Sequence, residues 1–238
     1  MPAKYRRCLL KISGEALAGE IGHGFDMAVI NDIAAQAAAI SAQGVELGIV
    51  VGGGNLWRGL PAASQGVMDR CTADYMGMLA TVMNSLALAA ALKAQGLACT
   101  IESAIAMVPV APLFQAERSL ASIKQGCIVI FAAGSGHPYF STDTAAALRA
   151  AEIKADVILM AKKVDGVYDS DPKTNPQARR IPRLTLLEVV ERQLRVMDLT
   201  AAALCRDNGI PIVVFKIDEP GNMMKAVMGE DIGTTVEV

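Results

Sequence analysis

The chain of 238 residues contains no CxxC pair, and its five cysteines (Cys8, Cys71, Cys99, Cys127, Cys205) are odd in number and widely spaced. A disulfide framework and a zinc ribbon are thereby disfavoured, and the cysteines read as buried free thiols of a reducing compartment. Histidine is scarce. His23 and His137 are the two present, and neither has an acid or thiol partner at metal-ligand spacing. No charge excess exists either: the net charge is −2 with both signs scattered, which argues against a nucleic-acid groove or a polybasic membrane patch. No uncharged apolar run approaches the roughly 20 residues of a membrane span. The opening MPAKYRRCLLKISGE is too short in its apolar stretch, and too interrupted by lysine, for a signal peptide. The expected location is the cytoplasm. Repeats, low-complexity segments and obvious linkers are missing, as is any Walker A motif. Two glycine loops come close to the dinucleotide fingerprint GxGxxG, but Trp57 and Tyr139 occupy the last glycine position.

What the chain does contain is alternation. Short β-branched runs at 7–12, 45–51, 98–102, 127–132, 156–161 and 211–217 read as strands. Helical composition fills 27–43, 74–94, 113–124, 142–153 and 198–208. Continuously apolar strands alternating with helices predict a three-layer α/β/α sandwich around a mostly parallel sheet covered on both faces. On the long helix, Met76, Leu79, Ala80, Met83 and Leu86 form an apolar stripe, for the core or for a subunit contact. The longest irregular segment is 165–183, rich in Asp, Pro, Lys and Asn. Open α/β sheets bind ligands at the carboxyl ends of their strands, which selects the loops after residues 12, 51, 132 and 161.

Those loops are the places richest in glycine and hydroxyl groups. In LLKISGE (9–15), Lys11 lies inside an apolar strand, where an ammonium needs an anion or a cleft; the bland reading is a snorkelling edge lysine. VVGGGNLWRG (50–59) puts three glycines at a strand end, the makings of an anion-binding nest, with the planar fork of Arg58 nearby. Asp74 reads either as a helix N-cap or as an acceptor for sugar hydroxyls. FAAGSGHPYFSTDTAA (131–146) runs from strand through glycines and hydroxyls into a helix N-terminus. His137 within it reads as a hydrogen-bonding loop residue, and Asp198 opens another helix, where a plain N-cap would suffice. Each signal alone is weak. A buried lysine, an arginine, two glycine sites and three aspartates on one sheet edge suit phosphoryl transfer, where positioning and charge neutralisation supply most of the catalysis.

LLKISGEALAG, VVGGGNLWRG, ADYMGMLATVMN, FAAGSGHPYFSTDTAAALRAAEI, KVDGVYDSDP, VMDLTA and GEDIGTTV together resemble the bacterial uridylate kinases of the amino acid kinase superfamily, almost end to end. The resemblance implies one domain over 1–238, the acceptor side mainly N-terminal and the ATP side mainly in 155–238. It implies ATP and UMP as substrates, ADP and UDP as products, Mg2+ held by nucleotide phosphates without a side-chain cage, a homohexamer, and GTP and UTP as effectors. It assigns Lys11, Ile12, Ser13, Gly14, Gly54, Arg58, Lys162, Tyr168 and Asp171 to ATP, with Lys162 near the adenine. Gly53, Asp74 and the loop Ser135, Gly136, His137, Pro138, Tyr139, Phe140, Ser141 and Thr142 fall to UMP, Asp74 at the ribose and the loop around the uracil. Lys11, Arg58, Asp143 and Asp198 become the catalytic group. A phosphate monoester acceptor, with a second pKa of about 6, is already largely a dianion at neutral pH, so no general base is demanded.

The family pattern GTGNPFFTTD appears here as GSGHPYFSTD, and LKATKVDG as LMAKKVDG, so that His137, Ser141, Met160 and Lys162 are departures. Thr100 and Cys127 stand where some relatives carry basic residues for GTP. A sibling kinase acting on a small acid and a non-catalytic nucleotide sensor are the rival readings. Asp74 with the 135–142 loop opposes the first, and the presence of Lys11 and Asp198 opposes the second.

Overall fold

The computed structural model describes residues 3–58, 68–172, 174–194 and 196–238. Gly59, the last residue of the 50–59 glycine stretch, lies outside them. Six parallel strands carry the architecture: β1 (Arg7–Ile12), β2 (Glu46–Val51), β3 (Cys99–Ser103), β4 (Ile128–Ala132), β5 (Val157–Lys162) and β9 (Ile212–Lys216). Three short strands, β6 (Val167–Tyr168), β7 (Arg180–Ile181) and β8 (Arg183–Thr185), precede β9, and β10 (Thr234–Glu237) follows it. The eight-stranded sheet runs β3-β4-β2-β1-β5-β9-β10-β8, with β10 antiparallel to β9.

The parallel strands show why they fold this way. Cys8, Leu10 and Ile12 of β1 enter one core together with Leu47, Ile49 and Val51 of β2 and Val157, Leu159 and Ala161 of β5. Leu9, Val50, Ile158 and Met160 enter the other. The period of two therefore feeds two apolar layers at once, the pattern of a doubly covered sheet. The first layer is closed by α1 (Gly14–Leu17), α2 (Met27–Ser41), part of α3 (Arg70–Ala94) and α8 (Asn222–Met228). The second is closed by α4 (Ala116–Lys124), α5 (Thr142–Glu152), α6 (Leu186–Glu191) and α7 (Leu199–Asp207). Because strands and helices alternate in parallel connection, the carboxyl ends of β1, β2, β4 and β5 share one edge with the amino ends of α5 and α7.

Four expectations need correction. The long helix begins at Arg70 rather than near Asp74, because Asp69 is the N-cap and accepts from the Thr72 N–H at 3.0 Å. Its stripe at Met76, Leu79, Met83 and Leu86 faces outward, as the subunit-contact alternative allows, while Ala80 is buried; the face against the protein is built of Ala73, Met78, Val82, Leu88 and Leu92 with polar Thr81, Asn84 and Ser85. Two apolar stripes share this helix, and periodicity does not tell which one meets the sheet. By length and composition this same helix is apolar enough to cross a bilayer, contrary to the sequence reading, but its inner face is packed against its own protein. Cys8 and Cys205 are buried, whereas Cys71, Cys99 and Cys127 are only half-buried. Finally, the 165–183 segment is not irregular throughout: β6 and β7 pair antiparallel, Val167 opposite Ile181.

Leu10 is fully buried in the central strand. Leu10→Ala should cost about 2–5 kcal/mol of stability, read as a lower urea midpoint with an unchanged slope; an unchanged midpoint would contradict this packing.

Candidate active site

Lys11 lies on the α5 side of β1, flanked by Val50 of β2 and Met160 of β5, and only 8 % of it is exposed. An ammonium so enclosed requires a counter-charge, and Asp143 Oδ1 stands 2.7 Å from its Nζ. Asp143 occupies the first turn of α5, where the helix dipole favours a carboxylate. The N-cap of that helix is Ser141, whose Oγ accepts from the N–H groups of Asp143 (3.0 Å) and Thr144 (3.1 Å). The same hydroxyl donates in a short contact to Asp198. Thr144 Oγ1 donates to both Asp198 oxygens at 3.0 Å. Asp198 in turn caps α7 through the Ala201 N–H at 2.9 Å. It is therefore an N-cap and also a bridge joining two helix N-termini beside the lysine.

The glycine loops close over this centre. A Cβ on Gly14 would lie 2.5 Å from the Gly52 carbonyl oxygen and 2.6 Å from the Gly54 nitrogen, so the loops after β1 and β2 touch backbone to backbone. Gly53 is pressed against α3, where a Cβ would lie 2.7 Å from the Gly77 carbonyl oxygen. A buried amide pair fixes this loop. Asn84 Nδ2 donates to Gly52 O (2.6 Å) and to Asn55 Oδ1 (2.7 Å), and Asn55 Nδ2 donates back to Asn84 Oδ1 (3.0 Å) and to Gly24 O (2.8 Å). Thr81 accepts from the Ala133 N–H at 2.8 Å and ties the end of β4 to the same helix. Trp57 Nε1–H donates to Ala73 O at 2.8 Å.

A cleft of about 580 Å³ opens beside the glycines, lined by Gly53, Gly54, Arg58, Asp74, Ser135 and Tyr139 through Thr142 among others. Gly136, His137 and Pro138 belong to the same loop without lining the cleft; His137 is exposed, and its N–H donates to Ser135 Oγ at 3.2 Å. Gly134 and Gly136 both have left-handed backbones (φ 59° and 81°), the two bends that shape the loop. Arg58 pairs with Glu15 in a short contact, through Nη2 alone among the described residues, so most of its exposed fork is left to meet a phosphate. Tyr168 and Asp171 line a second cleft of about 600 Å³, where Tyr168 Oη–H donates to Asp165 Oδ1 at 2.7 Å. Ile12, Ser13 and Gly14 end β1 and open α1 at the junction with the glycine loop.

Arg70, Trp57, Thr81 and Asn84 escaped the sequence reading. Thr81 and Asn84 interrupt an apolar helix at i, i+3 spacing, and a buried polar residue in such a run needs a partner, which was the available signal. Arg70 is four residues before Asp74, the spacing of a helical ion pair. Among the described residues no three His, Cys, Asp or Glu side chains group as a metal site.

Lys162 ends β5 and donates in a short contact to the Val196 carbonyl, two residues before Asp198. Burial pushes its pKa below the usual 10.5; Asp143 opposes the shift and Lys11 reinforces it. A lysine with a lowered folded-state pKa destabilises the fold most below that value, and the penalty fades as pH rises toward the unfolded value of 10.5. Lys162→Met should therefore gain stability on the wild type at neutral pH, with the gain shrinking as pH climbs through this window. Urea titrations across a pH series measure it, and a pH-independent difference would contradict the assignment.

A protein-family model, the amino acid kinase family, matches residues 6–216. The structure is similar to UMP kinase from Bacillus anthracis, with a TM-score of 0.94 and 39 % identity over 98 % of this chain and 96 % of the other. UMP kinase from Ureaplasma parvum gives 0.92 and 40 % identity over 99 % and 100 % of the two chains. Uridylate kinase from Archaeoglobus fulgidus is more distant, at 0.72 and 29 % identity over 96 % and 99 %. With a buried lysine between two glycine loops, two facing helix N-termini and a family match over most of its length, the chain belongs to the amino acid kinase family.

Proposed function

We propose that the protein is a UMP kinase, moving the γ-phosphoryl group of ATP to UMP to give ADP and UDP in pyrimidine nucleotide biosynthesis. The observation that carries the proposal is the cleft of about 580 Å³ beside the Lys11–Asp143 pair, in a chain that matches UMP kinases along nearly all its length. A nucleotide suits such a volume, whereas a small acid would leave most of it empty. On this reading UMP places its phosphate against Gly53, Gly54 and Arg58, its ribose on Asp74, and its uracil within the 135–142 loop. ATP lies across the ends of β1 and β5, with Tyr168 and Asp171 on its far side. Lys162 faces Val196 and the Lys11–Asp143 pair, which favours a phosphate over the adenine as its partner.

The chemistry is charge management. Lys11 and the Ser13–Gly14 amides draw electron density from the transferring group, Asp143 aims Lys11, and Asp198 keeps both helix N-termini turned to the phosphates. Mg2+ supplies further neutralisation of the phosphates when bound. Asp143 and Asp198, the carboxylates at the two helix N-termini beside Lys11, would help to orient its water shell, the usual manner in which Mg2+ is kept at nucleotide sites. The UMP dianion attacks without a general base, in keeping with the exposed position of His137.

The proposal extends to a cytoplasmic homohexamer with GTP and UTP as effectors. In support of assembly, Leu79 is 50 % exposed and Met83 52 %, on an outward apolar stripe that a second copy of the chain would cover. For GTP, Thr100 lies on β3 opposite Val129, and Cys127 immediately precedes β4; neither side chain is basic, so activation would draw on other contacts.

Coupled ADP release with UMP, CMP, dTMP and small acids as acceptors tests the reaction; turnover with an acid but not UMP overturns it. Lys11→Ala should abolish turnover with little change in Tm, whereas a collapse in stability would mark the lysine as structural. Asp74→Asn should mainly raise KM for UMP, and an effect confined to ATP would refute its place at the ribose. Leu79→Glu with Met83→Glu should reduce the molar mass measured by light scattering, and an unchanged mass would remove this face from the assembly.

A further inference from the structure

Arg70 was assigned no role by the sequence, yet it lines the acceptor cleft one helical turn before Asp74. Its Nε donates to both oxygens of Asp74 at 2.8 Å. Asp74 Oδ2 also accepts from the backbone N–H of Tyr139, at 2.8 Å, across 65 residues of sequence. The guanidinium Cζ stands 5.5 Å from the centroid of the Tyr139 ring. On the next helical residue, the Cys71 thiol reaches Tyr139 Oη at 3.6 Å. The first turn of α3 thus grips one loop residue three times: by its amide, its ring face and its hydroxyl.

That residue needs gripping. Tyr139 has a left-handed backbone (φ 72°), unfavourable for a bulky side chain, and 68 % of it is exposed. No core packing accounts for the conformation, so the hydrogen bond from its N–H must do much of the holding. The bond ends on Asp74, a carboxylate with about four acceptor positions. Arg70 and Tyr139 use three of them, leaving one on Oδ1. Without its guanidinium partner, Asp74 would keep the Tyr139 N–H alone and face the loop as an uncompensated charge.

We propose that Arg70 is a positioning residue of the acceptor site, which acts through Asp74 and Tyr139 to hold the 134–141 loop in its strained form across the cleft. The inference rests on the reading of this cleft as the UMP site. It adds that sugar recognition and loop geometry share one carboxylate, so that the acceptor binds a site Arg70 has already shaped. ATP, on the other side of Lys11, has no part in this linkage.

Steady-state kinetics of full-length Arg70→Ala, Tyr139→Ala and the double variant provide the test. Arg70→Ala should raise KM for UMP about tenfold, with KM for ATP within about twofold and Tm nearly unchanged. Arg70→Lys, which keeps the charge but lacks the planar fork, should recover only part of the loss. The double variant should fall short of the sum of the two single ones, since both remove the contact between guanidinium and ring, although the Tyr139 N–H bond to Asp74 survives Tyr139→Ala. Hydrogen exchange in the 134–141 segment should quicken in Arg70→Ala without any nucleotide present. Should Arg70→Ala fold poorly, Arg70→Lys carries both measurements. Unchanged KM for UMP, equal losses for both substrates, fully additive effects or unaltered exchange would each overturn the proposal. Should the wild type not use UMP at all, the kinase assignment fails instead, and the exchange measurement still decides whether Arg70 holds the loop.

Discussion

The site depends on one electrostatic constraint, an ammonium group carried by the central strand of a doubly covered sheet. Lys11 has apolar strands on either side and little exposure, a position costly for any charge without a partner. Asp143 meets the demand at 2.7 Å from the first turn of α5. This solution is available because parallel strands end where the following helices begin. The strand topology therefore does more than build a core, since it sets a cation, a carboxylate and two side-chain-capped helix N-termini on one edge. On the proposed reading, ATP and UMP would bring their phosphates to a pair already oriented, which would leave little reorganisation for the reaction itself.

The second requirement is that backbone come close to ligand, and glycine alone does not meet it. Gly14, Gly52 and Gly54 allow the two loops to touch, but a loop of glycines has many conformations to lose on ordering. The reciprocal Asn55–Asn84 amides remove that freedom from beneath. They tie the glycine loop to a long helix whose inner face is polar at Thr81, Asn84 and Ser85 in the region below the cleft. Those polar residues sit badly with a helix otherwise apolar enough for a bilayer. Ser85 donates back to the Thr81 carbonyl within the helix, whereas Thr81 and Asn84 are satisfied by the loops they hold, which makes the helix a platform as well as a core element.

Much of this was legible in the residues. The six parallel strands can be placed to within one residue at either end, most plainly β2 and β4, whose continuous apolar runs stop at glycines or just before them. Lys11, Asp143, Asp198 and the glycine stretches could be singled out because charged or flexible residues at strand ends are expensive without a purpose. The legibility failed where two alternatives share one pattern. The two sides of α3 are both apolar, and nothing in the spacing says which meets the sheet. Asp69 and Asp74 are both plausible caps, and the choice is made by which carboxylate finds the Thr72 N–H. Asn84 and Arg70 gave only a local signal, a polar group in an apolar run and an ion-pair spacing; their further partners, Gly52 and Tyr139, are distant in the chain, and only the fold brings them together. Short elements such as α8 and the β6–β7 ladder are scarcely announced by their local sequence, whereas α6 carries a capping box, Thr185 with Glu188, that the sequence reading passed over.

Asp198 joins parts of the molecule that lie far apart in sequence. One carboxylate caps α7 and takes hydroxyls from Ser141 and Thr144, and Ser141 is also the last residue of the acceptor loop before α5. The loop that would enclose one substrate and the helix that would face the other are thus fastened at a single rivet. A shift of α5 on one side is transmitted to α7 as a push on a shared bolt, so the two halves of the cleft behave as jaws on a common pin.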